Sequence, residues 1–168
     1  MDATTASEPT LSENVATVER ASERELVVTR TVNGPARLVF DAFTKAELLK
    51  QWWVPKSFPI TLLACETDPR VGGQYRLTFA SEGSTMDFFG RYLEVTPHSR
   101  LVWTNDEGEG ESTITTVTFD EVDGKTRVVL RDLYPSEQAL EEGSGSTNAM
   151  PESFAQLDDL LATMAAAK

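Results

Sequence analysis

Cysteine, histidine and basic residues are scarce in this sequence. Its 168 residues include one cysteine, Cys65, and one histidine, His98. An intramolecular disulfide is therefore excluded, and a zinc site built from the usual Cys and His ligands is close to excluded. The 15 Lys and Arg residues are outnumbered by 27 Asp and Glu, which gives a formal net charge of -12. Because this charge repels phosphate backbones and anionic lipid surfaces, we expect neither nucleic acid nor a membrane as a partner.

Long apolar runs are also missing. No stretch approaches the roughly 18 apolar residues of a membrane span, and the N-terminus lacks the basic and apolar regions of a secretory signal, so we expect a cytoplasmic protein. Residues 1–24 are rich in Thr, Ser, Glu and Ala, with a thin apolar stripe at Leu11, Val15 and Val18. This pattern predicts a leader that is partly flexible or forms a short helix. Residues 25–168 have the size of one globular domain.

Two short amphipathic helices are predicted within residues 35–53. Pro35 suits a first helical turn, and Thr44 is predicted to be the N-cap that separates the two helices. Apolar residues recur three and four positions apart, at Ala36, Val39, Phe40 and Phe43 in the first helix and at Leu48, Leu49, Trp52 and Trp53 in the second. Helices this short are marginal in isolation, so they must pack on the rest of the domain.

Most of the remaining chain alternates between apolar and polar residues, as strands do. Strands are predicted at residues 25–32, 60–66, 75–79, 86–95, 100–104, 112–122 and 125–133. The tight connections at residues 96–99 and at Asp123-Gly124 are hairpin signals. Since parallel strands need crossovers of a dozen or more residues, the sheet should be antiparallel.

The C-terminal segment predicts a long closing helix. Residues 136–142 favour one or two helical turns, and the sequence GSGSTN at residues 143–148 favours a flexible loop. Apolar residues then follow at helical spacing from an N-cap at Asn148, with Pro151 in the first turn, at Met150, Phe154, Leu157, Leu161 and Met164. A helix of about 20 residues is about 30 Å long. Because a straight helix and a bent sheet diverge at one end, a wedge-shaped pocket is expected between them.

Four segments of the chain resemble a known family. They are residues 35–53, DPRVGGQY at 68–75, GRYLEVTPHSRLVWT at 90–104 and GKTRVVL at 124–130. Together they resemble the bacterial domains named after the activator of heat-shock protein 90 ATPase, within the START-like (SRPBCC, Bet v I-like) superfamily. Members commonly carry a Gly-Trp pair early in the last helix, where this chain has Ser153-Phe154.

The resemblance implies an α+β helix-grip fold over about residues 25–165. In that fold a curved antiparallel sheet of about six to seven strands grips a long C-terminal helix, and two short helices follow the first strand. The family also implies a hydrophobic cavity between sheet and helix and, often, a homodimer. It does not imply a shared catalytic mechanism.

Patterns for catalysis or metal binding are weak. His98 lies in a predicted hairpin turn, where exposure rather than general-base catalysis is expected, and Gly72-Gly73 lacks the context of a dinucleotide-binding loop. The acidic run Asp106, Glu107, Glu109 and Glu111 lacks the twelve-residue calcium pattern and is typical of a solvated hairpin. We therefore expect no catalytic residue, no metal and no cofactor.

Aromatic residues form the candidate site, because rings with polar tips combine burial with orientation in small-molecule cavities. Strict alternation with Thr126, Val128 and Leu130 also sends Asp132 inward. There it would orient a ligand, pair with a nearby Arg or Tyr, or be exposed at the rim of the cavity. Its place near the end of the strand favours exposure at the rim. The predicted ligand-binding residues are Trp53, Tyr75, Phe79, Phe88, Tyr92, Trp103, Leu130, Asp132, Phe154 and Leu157.

These observations favour a domain that binds a small hydrophobic or aromatic molecule without defined catalysis. An alternative is a cavity-based enzyme in the manner of the superfamily's cyclases and aromatases, with Asp132, Tyr75 and Tyr92 as its polar residues. A second alternative is a module that binds a chaperone or regulatory protein through its acidic surface. The eukaryotic co-chaperones of the family use a separate N-terminal domain for much of that contact, and residues 1–24 are too short to form it.

Overall fold

The computed structural model describes residues 16–106 and 112–166. Eight antiparallel strands form one curved, unclosed sheet, and four helices accompany it, so the α+β helix-grip fold is confirmed. The strands are β1 (Thr17–Arg20), β2 (Glu25–Val32), β3 (Thr61–Thr67), β4 (Gln74–Ser81), β5 (Ser84–Thr96), β6 (Arg100–Asn105), β7 (Thr113–Val122) and β8 (Lys125–Leu133). The helices are α1 (Ala36–Thr44), α2 (Ala46–Trp52), α3 (Glu137–Asn148) and α4 (Met150–Ala166). The strand order is β1-β2-β8-β7-β6-β5-β4-β3.

Strand β1 is the one strand that the sequence did not predict. Its residues belong to the segment expected to be flexible or helical, but Val18 pairs with Val28 of β2 and adds an edge to the sheet. The single apolar side chain of this strand, Val18, packs against the core. A segment of four residues is too short for its alternation to predict a strand. Leu11 and Val15, which completed the predicted stripe, lie outside the described residues.

The long strand β5 bends the sheet. Its first half, up to Arg91, pairs with β4, and its second half, from Tyr92, pairs with β6 across a register shift. Gly90 lies at this bend, and a Cβ atom built there would fall 1.9 Å from the carbonyl oxygen of Thr104. The backbone approaches itself so closely that only glycine fits at this position.

Helices α1 and α2 pack as the predicted pair, but the cap between them differs. Lys45, rather than Thr44, precedes α2 as its N-cap residue, and no side chain caps the helix. Thr44 is the last residue of α1, and its hydroxyl donates a hydrogen bond to the Phe40 carbonyl, 2.9 Å away. The indole N–H of the fully buried Trp52 donates to the Ala42 carbonyl, at 2.9 Å, and so ties α2 to α1.

Helix α4 packs against β2, α1 and α2. The predicted apolar stripe is present, with Phe154 and Leu157 fully buried. An ion pair also joins this helix to the inner face of β2, where a guanidinium nitrogen of Arg30 lies 2.6 Å from a carboxylate oxygen of Asp158. Within the described parts of the chain, no helix is long and apolar enough to cross a membrane.

Helix α3 includes all of the predicted loop, residues 143–148. Glycine and serine at residues 143–146 favoured flexibility, but residues 137–148 form one helix. Tyr134 explains the difference, because its ring lies 3.2 Å from the position of a Cβ on Gly143 and its hydroxyl contacts Thr147 at 2.7 Å. Tertiary contacts at these two positions therefore hold a segment with low intrinsic helix propensity.

Candidate functional site: a cavity between the sheet and two helices

A cavity of about 440 Å³ lies between the sheet, residues 53–60, α3 and the start of α4. This volume falls in the range of about 300–1,000 Å³ that small-molecule sites occupy. Its apolar wall includes Trp53, Phe79, Phe88, Trp103, Leu130 and Met150. Its polar side chains are Asn105, Thr113, Thr115, Asp132, Tyr134, Thr147 and Ser153.

The cavity opens to solvent past two apolar side chains. Phe58 is 40% exposed and Met86 is 48% exposed, although both line the cavity. Leu130, which also lines the cavity, is 1% exposed. Two exposed apolar side chains at the entrance of an apolar cavity are typical of a ligand entry path.

Helix α4 holds one wall of the cavity through side chains. Ser153 donates a hydrogen bond to the Trp53 carbonyl at 2.7 Å, and the amide of Gln156 donates to the Val54 carbonyl at 2.9 Å. Glu152 accepts from the hydroxyl of Ser57 at 2.6 Å, and hydrogen bonds from Ser57 lower the pKa of this carboxyl. Residues 53–60 are thereby fixed over the cavity although they form no strand.

Asp132 provides the charge in the cavity wall. The hydroxyls of Thr115 and Thr147 donate to its two carboxylate oxygens, at 2.6 Å and 2.5 Å. The phenol of Tyr134 then bonds the Thr147 hydroxyl at 2.7 Å. Burial raises the pKa of Asp132, and the two hydrogen bonds offset only part of that rise. Asp132 is half-buried rather than fully exposed, because α3 covers the end of β8 with Thr147.

Hydrogen bonds extend this polar group across the sheet. The amide nitrogen of Asn105 donates to the Thr115 hydroxyl at 3.0 Å. The phenol of Tyr75 donates to the Thr104 carbonyl at 2.7 Å and lies 3.1 Å from the amide oxygen of Asn105. Asn105 and Thr115 therefore form a chain of donors that ends on the carboxylate of Asp132, and the hydroxyl of Tyr75 lies beside its first member.

The structure brings most of the predicted site residues together. Trp53, Phe79, Phe88, Trp103, Leu130 and Asp132 line the main cavity. A smaller cavity of about 50 Å³ shares Trp53, Phe88 and Trp103 with it and is lined also by Tyr75 and Tyr92. Burial raises the pKa of Tyr92. Phe154 and Leu157 instead lie in the core; the ring of Phe154 packs 6.1 Å from that of Trp52.

Sequence reasoning did not identify Thr115, Thr147 or Asn105. Thr115 occupies an inward position of a predicted strand, so alternation alone could have placed it beside Asp132, its direct cross-strand partner. Thr147 carried no such signal because its segment was predicted to be a loop. The part of the hydrogen-bond network that involves Thr147 could therefore be identified only from the position of α3 in the structure.

Of the other candidate residues that the structure describes, His98 and Asp106 are not among those that line the cavity. His98 is exposed in the turn between β5 and β6, with a positive φ of 69° and its ring 5.6 Å from that of Phe40. Asp106 accepts hydrogen bonds from the hydroxyls of Thr104 and Ser112. Glu107, Glu109 and Glu111 lie outside the described residues. Among residues 16–106 and 112–166, no group of three His, Cys, Asp or Glu side chains is placed to hold a metal ion.

Comparisons with solved structures find the same fold. A protein of Nitrosomonas europaea is 28% identical, with 88% of this chain and 99% of that one aligned at a TM-score of 0.76. A protein of Staphylococcus epidermidis is 25% identical over 88% and 94% of the two chains, also at 0.76. A Rhodobacter sphaeroides protein, 23% identical over 88% and 98%, shares the fold at 0.78. No curated protein matched the chain.

A family model gives the more specific result. The model described as "Activator of Hsp90 ATPase homolog 1-like protein" matches residues 33–162, which include the sheet from β3 to β8 and nearly all of α4. This range contains the four segments that carried the resemblance in the sequence. The chain therefore belongs to the family of proteins similar to activator of Hsp90 ATPase homolog 1.

Proposed function

We propose that the protein binds a small hydrophobic or aromatic molecule in the main cavity, with the polar end of that molecule at Asp132. The observation that carries this proposal is the composition of the cavity wall. Aromatic and aliphatic side chains surround most of a volume of about 440 Å³, and hydrogen-bonding groups are gathered on β7, β8 and α3. An apolar cavity with a few convergent polar groups is the usual design of a small-molecule site.

The arrangement of the aromatic residues supports the same function. Trp53 and Trp103 lie in the walls with ring centroids 6.5 Å apart, and Phe79 and Phe88 lie 5.2 Å apart. Each pair adopts an edge-to-face geometry that fixes its rings relative to the backbone. Rigid rings present a shaped apolar surface, so a planar ligand would bind at a low cost in side-chain entropy.

Fluorescence of the neutral dye N-phenyl-1-naphthylamine tests this proposal. The dye should bind the full chain with one site and should be displaced by other neutral hydrophobic compounds. Ala149→Phe places a ring in the cavity wall and should abolish binding, whereas Ala155→Phe, on an exposed position of α4, should not. Dye binding that survives Ala149→Phe, or that is absent from the unmodified chain, would contradict the proposal. Circular dichroism spectra would check that both variants are folded.

One observation favours a second candidate, a cavity-based enzyme. A carboxyl with a raised pKa, hydrogen-bonded through Thr147 to a phenol, is an arrangement that can hold or transfer a proton. Tyr134, whose pKa burial raises to about 12, would remain protonated in that role. Mass spectrometry of a co-purifying molecule, before and after incubation with the protein, tests it: conversion that is lost in Asp132→Asn supports the enzyme, and an unchanged mass counts against it.

A further inference from the structure

The carboxyl of Asp132 lacks a basic partner. Among the described residues that line the cavity, Asp132 and Tyr134 are the titratable groups, and none of the others is Lys, Arg or His. Its recorded hydrogen-bond donors are two neutral hydroxyls, those of Thr115 and Thr147. A carboxylate held away from water is costly unless a positive charge compensates it. None of the described wall residues supplies a positive charge, so a bound cation would stabilise the ionised form of Asp132.

The carboxyl also has acceptor capacity left for a ligand. An ionised carboxylate offers about four lone-pair positions, and each oxygen of Asp132 accepts one recorded hydrogen bond. Its side chain lies in the wall of the main cavity. A group with several N–H donors would fill the remaining positions, and an ammonium group does so with the opposite charge.

The aromatic wall lies at a suitable distance from this carboxyl. Thr115 pairs with Asp132 on one side and with Trp103 on the other. Trp103 and Asp132 are therefore two strands apart on one face of the sheet, about 10 Å between their backbones. A ligand of two fused rings with a short amine arm would lie across Thr115, with its rings beside Trp103. Aromatic faces also attract cations directly.

We infer that the cavity selects a hydrophobic ammonium compound, an aromatic or aliphatic body that carries one protonated amine, and that Asp132 is the counter-ion. This inference rests on the proposed binding function and adds the chemical class of the ligand to it. The selectivity follows from charge: a neutral alcohol of the same shape would make hydrogen bonds only, and a carboxylate would be repelled.

Three naphthalene compounds test the selectivity, namely 2-naphthylmethylamine, 2-naphthalenemethanol and 2-naphthoic acid. They share one ring system and differ in the charge of the polar group. In displacement titrations at neutral pH, the amine should bind about ten- to a hundredfold more tightly than the alcohol, the gain expected of a hydrogen bond to a charged group. The acid should bind more weakly than the alcohol. Equal affinities of amine and alcohol would overturn the inference but leave the proposed function intact, and a failure of all three to bind would contradict both.

Asp132→Asn provides the matched variant, because it keeps the shape and removes the charge. Binding of the alcohol shows that this variant is folded, and the preference for the amine should disappear. Asp120→Asn removes one charge from an exposed position of β7 and should keep the preference. Loss of the preference in both variants, or its persistence in Asp132→Asn, would overturn the inference.

A pH series on the unmodified chain gives a test that needs no variant. The groups that face Asp132 are the neutral side chains of Thr115 on β7 and Thr147 on α3, with Tyr134 at the end of β8. As the pH rises through the elevated pKa of Asp132, the carboxyl ionises, and the ratio of amine to alcohol affinity should rise. A ratio that is constant from the acid range to pH 8 would overturn the inference.

Discussion

Breaking the ion pair between Arg30 and Asp158 should strongly destabilise the fold. Arg30 points inward from β2, where its neighbours on the same face, Val28 and Val32, are fully buried. Both charged side chains are only 13% exposed. Asp158 also accepts a hydrogen bond from the backbone N–H of Asn33 at 2.8 Å. This carboxylate therefore binds both the guanidinium and the chain just after β2.

The size of the effect follows from what Asp158→Ala leaves behind. The Nε atom of Arg30 is buried and has no hydrogen-bond partner among the described residues even in the intact protein. Removal of one partner from a fully buried pair costs about 3–5 kcal/mol, because the other charge is left uncompensated. Since 13% exposure admits some water, we expect a loss of about 2–4 kcal/mol in the free energy of unfolding.

Urea denaturation of four variants measures this loss. Asp159→Ala, at the exposed neighbouring position, should change stability by less than about 0.5 kcal/mol. The double variant Arg30→Met with Asp158→Leu should recover most of the loss, because an apolar pair of similar size carries no desolvation penalty. Asp158→Asn, which keeps one acceptor for the Asn33 N–H, should cost less than Asp158→Ala. A loss below about 1 kcal/mol for Asp158→Ala, or a double variant no more stable than the single one, would refute the reasoning.

Three further predictions concern stability and reactivity. Burial raises the pKa of Asp132 above its value in the unfolded chain, so the unmodified protein should lose stability relative to Asp132→Asn as the pH rises through the raised pKa. Urea unfolding of both proteins at several pH values measures this loss. A difference in the free energy of unfolding that does not change with pH would contradict the prediction. Burial raises the pKa of Cys65 to about 11 from 9.0, so iodoacetamide should alkylate it at pH 8 about a hundredfold more slowly than a free thiol. Alkylation at the free-thiol rate would contradict the raised pKa. Gly90→Ala should cost more than about 3 kcal/mol, because the new Cβ meets the Thr104 carbonyl. Gly145→Ala, at an open position of α3, should raise the free energy of unfolding by about 0.5–1 kcal/mol. Equal changes in melting temperature for the two glycine variants would contradict both expectations.

Periodicity in the sequence predicted the elements whose burial is regular. In β8, buried Thr126, Val128 and Leu130 alternate with Arg127 and Arg131, which are exposed. The stripe of α4 is equally regular. Such patterns arise because one face of each element packs on the core. The pattern therefore indicates both the type of element and the face that is buried.

Contacts between distant residues account for what the sequence could not show. Helix α3 depends on Tyr134 and Thr147, and the latter contributes a partner to Asp132. A charged residue inside an apolar stripe was the available signal for the ion pair: Arg30 interrupts the inward face of β2, and Asp158 follows Leu157 on α4. Neither position predicts its partner alone, because the two residues lie 128 positions apart.

Because residues 53–60 are attached to α4 by side chains, the shape of the main cavity can change without loss of the fold. Backbone ladders build the other large wall, where a change of length would shift the register of several strands. Insertions or deletions between Val54 and Pro59 would alter the volume of the main cavity and leave the eight described strands paired. Changes to the size of this cavity can therefore begin with that short connection, with Ser153 and Gln156 retained as its fixed anchors.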